Sequence, residues 1–286
     1  MIGVDWLLAA ERLRGCREPG VLVTLIDVHG HAPQVAGAKM VVAAGHHWGT
    51  IGGGNLEATA IARARDLLAS GRATPEQHGI ALTAHGDAEH ARQCCGGRVT
   101  VLLEPLGVPA AVAVFGVGHV GLELARILAR QDLDLHLVDS RADRLDDAML
   151  APLRDARARI RSHHAPDPAA PVADLPAGTH VLVLTHDHAQ DAAVCDAALR
   201  RDDLGSIGLI GSSAKWARFR VRLAQAGHEP AAIGRIRSPI GLAEVPGKDP
   251  ATIAVSIAAE LLSMVARAPA ATPRGRTPTP APPARA

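Results

Sequence analysis

Residues 111–139 decide the fold of this chain, opening with AVAVFGVGHVG (111–121) and closing with LDLHLVD (133–139). An apolar run leads into a Gly-X-Gly-X-X-Gly turn, a helical pattern follows, and a second apolar run ends in an acid. This order is that of a dinucleotide-binding βαβ unit, so the sequence predicts a Rossmann-like parallel-sheet domain. A helix N-terminus after such a turn favours a phosphate. The candidate ligand contacts are Gly116, Gly118, His119, Gly121 and Asp139, the last as an acceptor for ribose hydroxyls.

Two further strand–turn–helix units continue the alternation, with predicted strands at 179–185 and 206–210. Their polar turns follow the strands, and open parallel sheets bind ligands at the carboxyl ends of strands. In the second turn, Ser212 either caps a helix or forms an anion site with Lys215 one turn on. In the first turn, His186 belongs to a His-Asp-His run that supplies too few ligands for zinc. Packing, capping or substrate contact is the favoured role of that run.

The chain before residue 106 lacks this alternation of strand, turn and helix, and its sequence predicts a mixed α/β domain. Gly52, Gly53 and Gly54 precede a predicted helix, where they form either an anion cradle or a simple tight turn. Glu57 in the first helical turn suits the helix dipole and requires no catalytic role. The predicted elements are strands at 21–28, 38–43, 48–51 and 99–103 and a helix at 55–68.

Cys94 and Cys95 are adjacent, within the run Arg-Gln-Cys-Cys-Gly-Gly-Arg at 92–98. Neighbouring cysteines do not easily pair with each other, because the short ring strains the peptide between them. Flanking arginines favour the thiolate, the nucleophilic and metal-binding form. Buried free cysteines also serve as small core residues, and that alternative stays open. The pair and the preceding Gln93 therefore indicate soft sulfur chemistry at a loop that favours anions.

Composition narrows the class of protein. The chain has 286 residues, a formal charge of +1, four cysteines and 2% aromatic residues, with no tyrosine. We therefore expect no nucleic-acid partner and no membrane association, and the absence of a signal peptide and of a long apolar run favours the cytoplasm. The expected organisation is an N-terminal domain (1–106), a Rossmann-like domain (110–267) and a disordered Pro/Ala-rich tail (268–286).

Taken in order, these motifs resemble the XdhC/CoxI family of xanthine dehydrogenase accessory proteins. The resemblance extends from about Asp5 to Leu262. One departure is Ser238, which stands where the family pattern leads us to expect a cysteine before Pro-Ile-Gly. The matching segments are 23–24, 37–40, 49–58, 93–99, 114–121, 186–189, 208–212 with Lys215, 239–242 and 247–251.

The resemblance implies a maturation chaperone, not an enzyme of metabolic turnover. Such a protein binds the molybdenum cofactor (Mo-molybdopterin), supports replacement of an oxo by a sulfido ligand, and delivers the product to apo-xanthine dehydrogenase. The resemblance implies that Gln93, Cys94 and Cys95 form the sulfur-handling and cofactor site, with the two cysteines near molybdenum. The implied partners are a cysteine desulfurase, the molybdenum subunit of the dehydrogenase and a second copy of the chain in a homodimer. The glycine fingerprint leaves two alternatives: an NAD(P)-dependent oxidoreductase or a nucleotide-binding regulatory protein.

Overall fold

Two units of different architecture make up the chain, one running to Val108 and the other beginning at Pro109. The computed structural model describes residues 5–82 and 97–267. The cysteine pair with Gln93 and the predicted disordered tail lie outside the described residues.

The first unit is a five-stranded antiparallel sheet with the order β3-β2-β1-β5-β4. Helix α2 packs on one face through small and aliphatic residues such as Leu56 and Ala60, and α1 packs on the other through Ala9 and Leu13. The elements are α1 (Asp5–Cys16), β1 (Gly20–Gly30), β2 (Lys39–Val42), β3 (His47–Gly49), α2 (Gly54–Ser70), β4 (Glu76–Ala81) and β5 (Gly97–Leu106).

Two details of this unit differ from the sequence prediction. Strand β3 begins one residue earlier than predicted and ends at Gly49, whose φ of +81° turns the chain out of the sheet. Strand β4 was not predicted, because it is an edge strand whose residues are mostly polar and partly exposed. Its pairing with β5 supplies the regularity that its sequence lacks.

The second unit is a six-stranded parallel sheet with the order β8-β7-β6-β9-β10-β11. Counted along the unit, this is the 3-2-1-4-5-6 order of the doubly wound Rossmann fold. The predicted fold class is therefore confirmed. The elements are β6 (Ala110–Phe115), α3 (His119–Leu128), β7 (Leu133–Asp139), β8 (Arg159–His164), β9 (His180–Val183), α4 (His188–Leu199), β10 (Ser206–Leu209), α5 (Ser213–Gln225), α6 (Pro230–Ile233), β11 (Ile236–Arg237) and α7 (Pro250–Arg267), with short 3₁₀ turns between β7 and β9.

Helices cover both faces of this sheet. Helices α3 and α7 pack against each other and share one apolar core with strands β6 and β7. Helices α4 and α5 lie in the core on the other face, where Phe219 and Leu223 contribute from α5. The reversal of strand order between β6 and β9 opens a crevice at the carboxyl edge, where such folds bind their ligands.

Helix α7 corrects the expectation that the chain has no long apolar run. Within 5–82 and 97–267 it is the one helix long and apolar enough to cross a membrane, by length and composition alone. Its apolar residues Ala254, Ile257, Ala258 and Leu261 are buried in the core that it shares with α3. Burial in this core extends to 28% of the helix, and a cytoplasmic location stays a prediction.

Candidate functional site

The glycine turn after β6 contains two glycines that the fold requires. Gly116 has a φ of +103°, and a Cβ there would overlap the carbonyl group of Leu184. A Cβ on Gly121 would overlap the carbonyl oxygen of Gly116. These two residues let the turn close against the next strand and let α3 pack on the turn, as in dinucleotide-binding units.

Gly118 is different, because nothing in the fold requires a glycine there. It is the N-cap of α3 with a φ of −80°, and apart from its chain neighbours no atom of residues 5–82 and 97–267 lies within 4 Å of the position that a Cβ would take. The helix start has no side-chain cap, and His119 in its first turn is exposed. The turn therefore leaves an open space against an uncapped helix N-terminus, which is the geometry that accepts a phosphate.

Asp139 lies at the carboxyl end of β7, and its side chain is engaged within the protein. Its Oδ2 accepts a hydrogen bond from the backbone N–H of Val117 (2.7 Å) and one from Arg141 Nη2 (2.9 Å). Its Oδ1 accepts from Arg141 Nε (2.9 Å) and from the Arg141 backbone N–H (3.0 Å). A carboxylate offers about four acceptor positions. All are in use, so a ribose contact, which stays a prediction, requires displacement of one of these donors.

The environment of Asp139 favours its charged form. Burial by itself raises the pKa of this carboxyl, but the hydrogen bonds from Arg141 and Val117 outweigh burial and hold the pKa below its ordinary value. The carboxylate thus joins the glycine turn to the end of β7 as a fixed charge. A narrow cleft lies beside it, lined by Gly116, Val138, Asp139, Ser140, Pro168, Thr185, His186 and Gln190.

Lys215 forms a buried ion pair with Asp191. Its Nζ lies 2.6 Å from Asp191 Oδ2 and donates to the carbonyl oxygen of Ile210 at 2.9 Å. The other oxygen of Asp191 accepts from the hydroxyl (2.6 Å) and the backbone N–H (3.0 Å) of Thr185. The charge of Lys215 is balanced inside the protein, while the side chain of Ser212 accepts from the Lys215 backbone N–H as a helix cap.

Sequence reasoning did not identify Asp191 as the partner of Lys215. The signal was present, because each residue lies in the first turn of a helix that follows a parallel strand. Neighbouring units of this kind place those helix starts at one edge of the sheet. Asp187 caps α4 by accepting from Ala189 N, and His188 meets Phe219 edge-on, as the capping and packing interpretation predicts. Within the described ranges no three metal-binding side chains cluster.

The glycine run before α2 already holds a carboxylate. Glu57 Oε2 accepts from the backbone N–H groups of Ile51 (3.3 Å) and Gly53 (3.2 Å) and from the Thr50 hydroxyl. His47 Nε2 lies 3.8 Å from the other oxygen. Glu57 thus takes the position that an external anion would occupy at this helix start. Cofactor binding by the adjoining glycines 52–54 stays a prediction, and an anionic ligand there would face this charge.

The cysteines within the described ranges do not supply a reactive thiolate at the carboxyl edge. Cys195 lies in the core on α4, and burial, reinforced by the nearby Asp191, raises the pKa of its thiol to about 12. Cys16 is exposed in α1 of the other unit. A sulfur-handling role for the pair at 94–95 stays a prediction.

The doubly wound Rossmann unit, with an open and uncapped glycine turn at its switch point, defines the class of protein, and comparison gives the family. The XdhC Rossmann domain matches residues 112–261, and the XdhC and CoxI family matches residues 13–79. The first match alone covers more than half of the chain. The protein therefore belongs to the XdhC/CoxI family.

Individual relatives are more distant. The chain is 26% identical over 260 residues to YqeB of Escherichia coli (strain K12), described as uncharacterized, covering 91% of this chain and 46% of that protein. The chain thus spans about half the length of this relative. A Bacillus halodurans structure described as a xanthine dehydrogenase is 20% identical, with a TM-score of 0.47, over 94% of this chain and 98% of the other. The E. coli tRNA N6-threonylcarbamoyladenosine dehydratase TcdA is 16% identical, with a TM-score of 0.37, over 55% and 87%. Both TM-scores lie below 0.5, so neither likeness bears on function.

Proposed function

We propose that this protein is a xanthine dehydrogenase accessory protein that binds the molybdenum cofactor, supports its sulfuration and assists its insertion into the apo-dehydrogenase. Membership of the XdhC/CoxI family supports the accessory role. A cysteine desulfurase is the proposed sulfur donor, and the molybdenum subunit of the dehydrogenase is the proposed recipient. A homodimer is the proposed assembly.

The observation that carries the proposal is the open turn at Gly118. The cofactor is a pterin dithiolene that ends in a phosphate, and this turn offers that phosphate an uncapped helix N-terminus with room beside it. His119, exposed in the same helical turn, is placed to approach the phosphate. When bound, the cofactor would supply the molybdenum centre at which sulfuration takes place.

The residues of this chain have separable roles in the proposal. Gly118 and the first turn of α3 hold the phosphate, and Asp139 fixes the shape of that turn through Val117. Cys94 and Cys95 hold sulfur near molybdenum, because a thiolate flanked by arginines is stabilised in its reactive form. Lys215 acts as a structural cation paired with Asp191, and it leaves phosphate recognition to backbone N–H groups.

The phosphate role is tested by replacing Gly118 with Asp and, as a matched control, with Asn. Both side chains cap a helix from the N-cap position, so both variants should fold, but only Asp places a negative charge against the phosphate. We expect Gly118→Asp to lose about tenfold or more of the bound molybdopterin recovered from a cofactor-producing host, a loss of about 1.4 kcal/mol. Gly118→Asn should retain more bound molybdopterin than Gly118→Asp. Equal cofactor content in Gly118→Asp and wild type would contradict the proposal.

The sulfur role is tested in reconstitution with apo-xanthine dehydrogenase and a cysteine desulfurase. Cys95→Ala and Cys94→Ala are compared with Cys16→Ala, which removes an exposed thiol from a helix of the first unit. We expect activation of the dehydrogenase to fall in at least one of the pair and to stay at the wild-type level in the control. Full activation by the double Cys94→Ala/Cys95→Ala variant would remove the pair from sulfur handling.

Nucleotide binding is the second candidate, and the 3-2-1-4-5-6 strand order favours it. The domain would then serve an NAD(P)-dependent oxidoreductase or a nucleotide-dependent regulator. Calorimetric titration of the apoprotein with oxidised and reduced nicotinamide nucleotides separates this candidate from the first. Saturable nucleotide binding that Gly118→Asp abolishes, together with no molybdopterin in the isolated protein, would favour it.

A further inference from the structure

A second cavity lies in the Rossmann unit, away from the glycine turn. It has a volume of about 370 Å³ and is formed by the loop between β11 and α7 together with the first turns of α7. This volume falls within the range of about 300–1,000 Å³ that small-molecule sites occupy. Its walls are Pro239, Ile240, Gly241, Leu242, Ala243, Val245, Pro246, Gly247, Ile253 and Ser256.

The loop that forms the cavity is held in place from α7. The backbone N–H of Gly241 donates to Glu260 Oε2 (2.8 Å), and Glu260 also pairs with Arg237 at the end of β11. The Ser256 hydroxyl donates to the carbonyl oxygen of Leu242 (3.0 Å). Gly241 has a φ of +103°, and a Cβ there would lie only 2.6 Å from Ser256 Oγ. These contacts preform the cavity wall before a ligand arrives.

The lining selects the chemistry of the occupant. None of the ten lining residues carries a charge, and seven have the aliphatic or proline side chains that cover the faces of a flat ring. Apart from the Gly241 N–H and the Leu242 carbonyl, which α7 holds, the peptide groups of the loop carry the donors and acceptors that the edge of a polar ring requires.

The cavity lies at the same edge of the sheet as the glycine turn after β6. Strands β6, β9, β10 and β11 are parallel, so the turn after β6 and the loop after β11 lie at one edge of the sheet. Ile240 packs over Gly208 of β10, two strands from β6. Two strand spacings are about 10 Å. Helices α3 and α7, which follow these two connections, also share one face of the sheet.

We infer that the cavity binds an uncharged planar heterocycle, the ring system of the ligand whose phosphate lies at Gly118. The inference rests on the proposed function for the phosphate half and on the cavity alone for the ring half. It assigns to the loop 239–247 the recognition of the pterin ring. Charge recognition and ring recognition are then divided between the first turn of α3 and the loop before α7.

The test uses apoprotein purified from a host that does not make the cofactor, with calorimetric titration of separate probes. The probes are 6-hydroxymethylpterin for the ring, adenosine for a purine ring and inorganic phosphate for the charge. Ala243→Trp and Val245→Phe place bulk at the cavity, and Ala251→Trp places the same bulk on the exposed first turn of α7 outside it. Thermal unfolding confirms that each variant is folded.

We expect 6-hydroxymethylpterin to bind wild type and Ala251→Trp alike and to bind Ala243→Trp or Val245→Phe about tenfold or more weakly. Phosphate binding should be lost in Gly118→Asp and kept in the cavity variants. No binding of either ring probe, or equal ring binding by all folded variants, would overturn the inference. Adenosine preference with the same sensitivity to the cavity variants would support the ring site and contradict the molybdopterin proposal. Ring binding without phosphate binding would uphold the cavity and count against the role of Gly118.

Discussion

The two glycine-rich turns that open α2 and α3 resemble each other in sequence and differ in what they hold. The turn before α2 is filled by the carboxylate of Glu57, which accepts hydrogen bonds from Ile51 and Gly53. The turn before α3 has an uncapped start and open space at Gly118. A glycine run before a helix therefore indicates a place for an anion, and the neighbouring side chains determine whether the protein supplies that anion itself.

The start of α5 is a third helix start, and its Lys215 is paired with Asp191. Disrupting this ion pair should have the largest effect on stability. Lys215→Met leaves the fully buried carboxylate of Asp191 without its cation, so we expect a loss of about 3–5 kcal/mol in the free energy of unfolding. The measurement is urea denaturation, with Lys248→Met as the control at an exposed lysine. A loss as small as that of the control would mean that Lys215 is not needed to balance Asp191 and is available to a ligand.

The next largest effect on stability should distinguish Gly116 from Gly118, two glycines of the same turn. Gly116→Ala forces a Cβ into the backbone at Leu184 with a φ of +103°, and we expect it to cost on the order of 1–3 kcal/mol. Gly118→Ala meets open space at an ordinary φ, so stability should be unchanged or slightly higher, by about 0.4–1 kcal/mol. Denaturation of both variants provides the comparison. Similar losses in the two would show that Gly118 is required by the fold, which would weaken its assignment to a ligand.

Removing Glu57 from the turn before α2 tests directly whether that turn then behaves like the open turn before α3. Glu57→Ala removes the carboxylate from the start of α2 and should cost about 1 kcal/mol, as the loss of a helix cap does. The emptied turn should then bind anions, so sulfate should raise the Tm of Glu57→Ala more than that of wild type. Glu123→Ala, which removes a carboxylate from the surface of α3, is the control. A sulfate response equal to that of the control would mean that the glycines alone do not form an anion site.

The smallest expected effect is the pH dependence of stability that His180 and His163 of the Rossmann unit contribute. Burial lowers the pKa of His180, and burial followed by the charge of Arg161 lowers that of His163, both from 6.5. The unfolded chain therefore binds more protons than the folded chain as pH falls through 6.5, and stability decreases toward the lowered folded-state values. Above 6.5 this contribution is fully present.

Denaturation between pH 8 and pH 5 measures this dependence. His180→Gln keeps a polar partner for Ser206 and removes one titrating group, so its stability should fall less steeply with acid than that of wild type. A wild-type stability that stays constant across this range would contradict the assignment of the pH dependence to His180 and His163.

The sequence predicted the Rossmann unit well because its signals are local. An apolar run, glycines at fixed spacing and a helical period are properties of consecutive residues, and they placed β6, α3 and β7 within a few residues. Strands β4 and β8 escaped prediction because their sequences are polar and their regularity comes from pairing with neighbours. The cavity after β11 was also missed, since the loop that forms it has no periodic pattern.

By itself the sequence determined where the glycine turns and helix starts fall, and hence which places are suited to an anion. Only the tertiary structure decided which of them are open. Lys215 meets Asp191 across 24 residues of chain, and Val117 meets Asp139 across 22, so neither pairing follows from local spacing. Parallel strands bring their carboxyl ends to one edge, and there charges from separate segments neutralise one another before a ligand can. Among the residues that the structure describes, no such partner reaches Gly118, and the space beside it stays open.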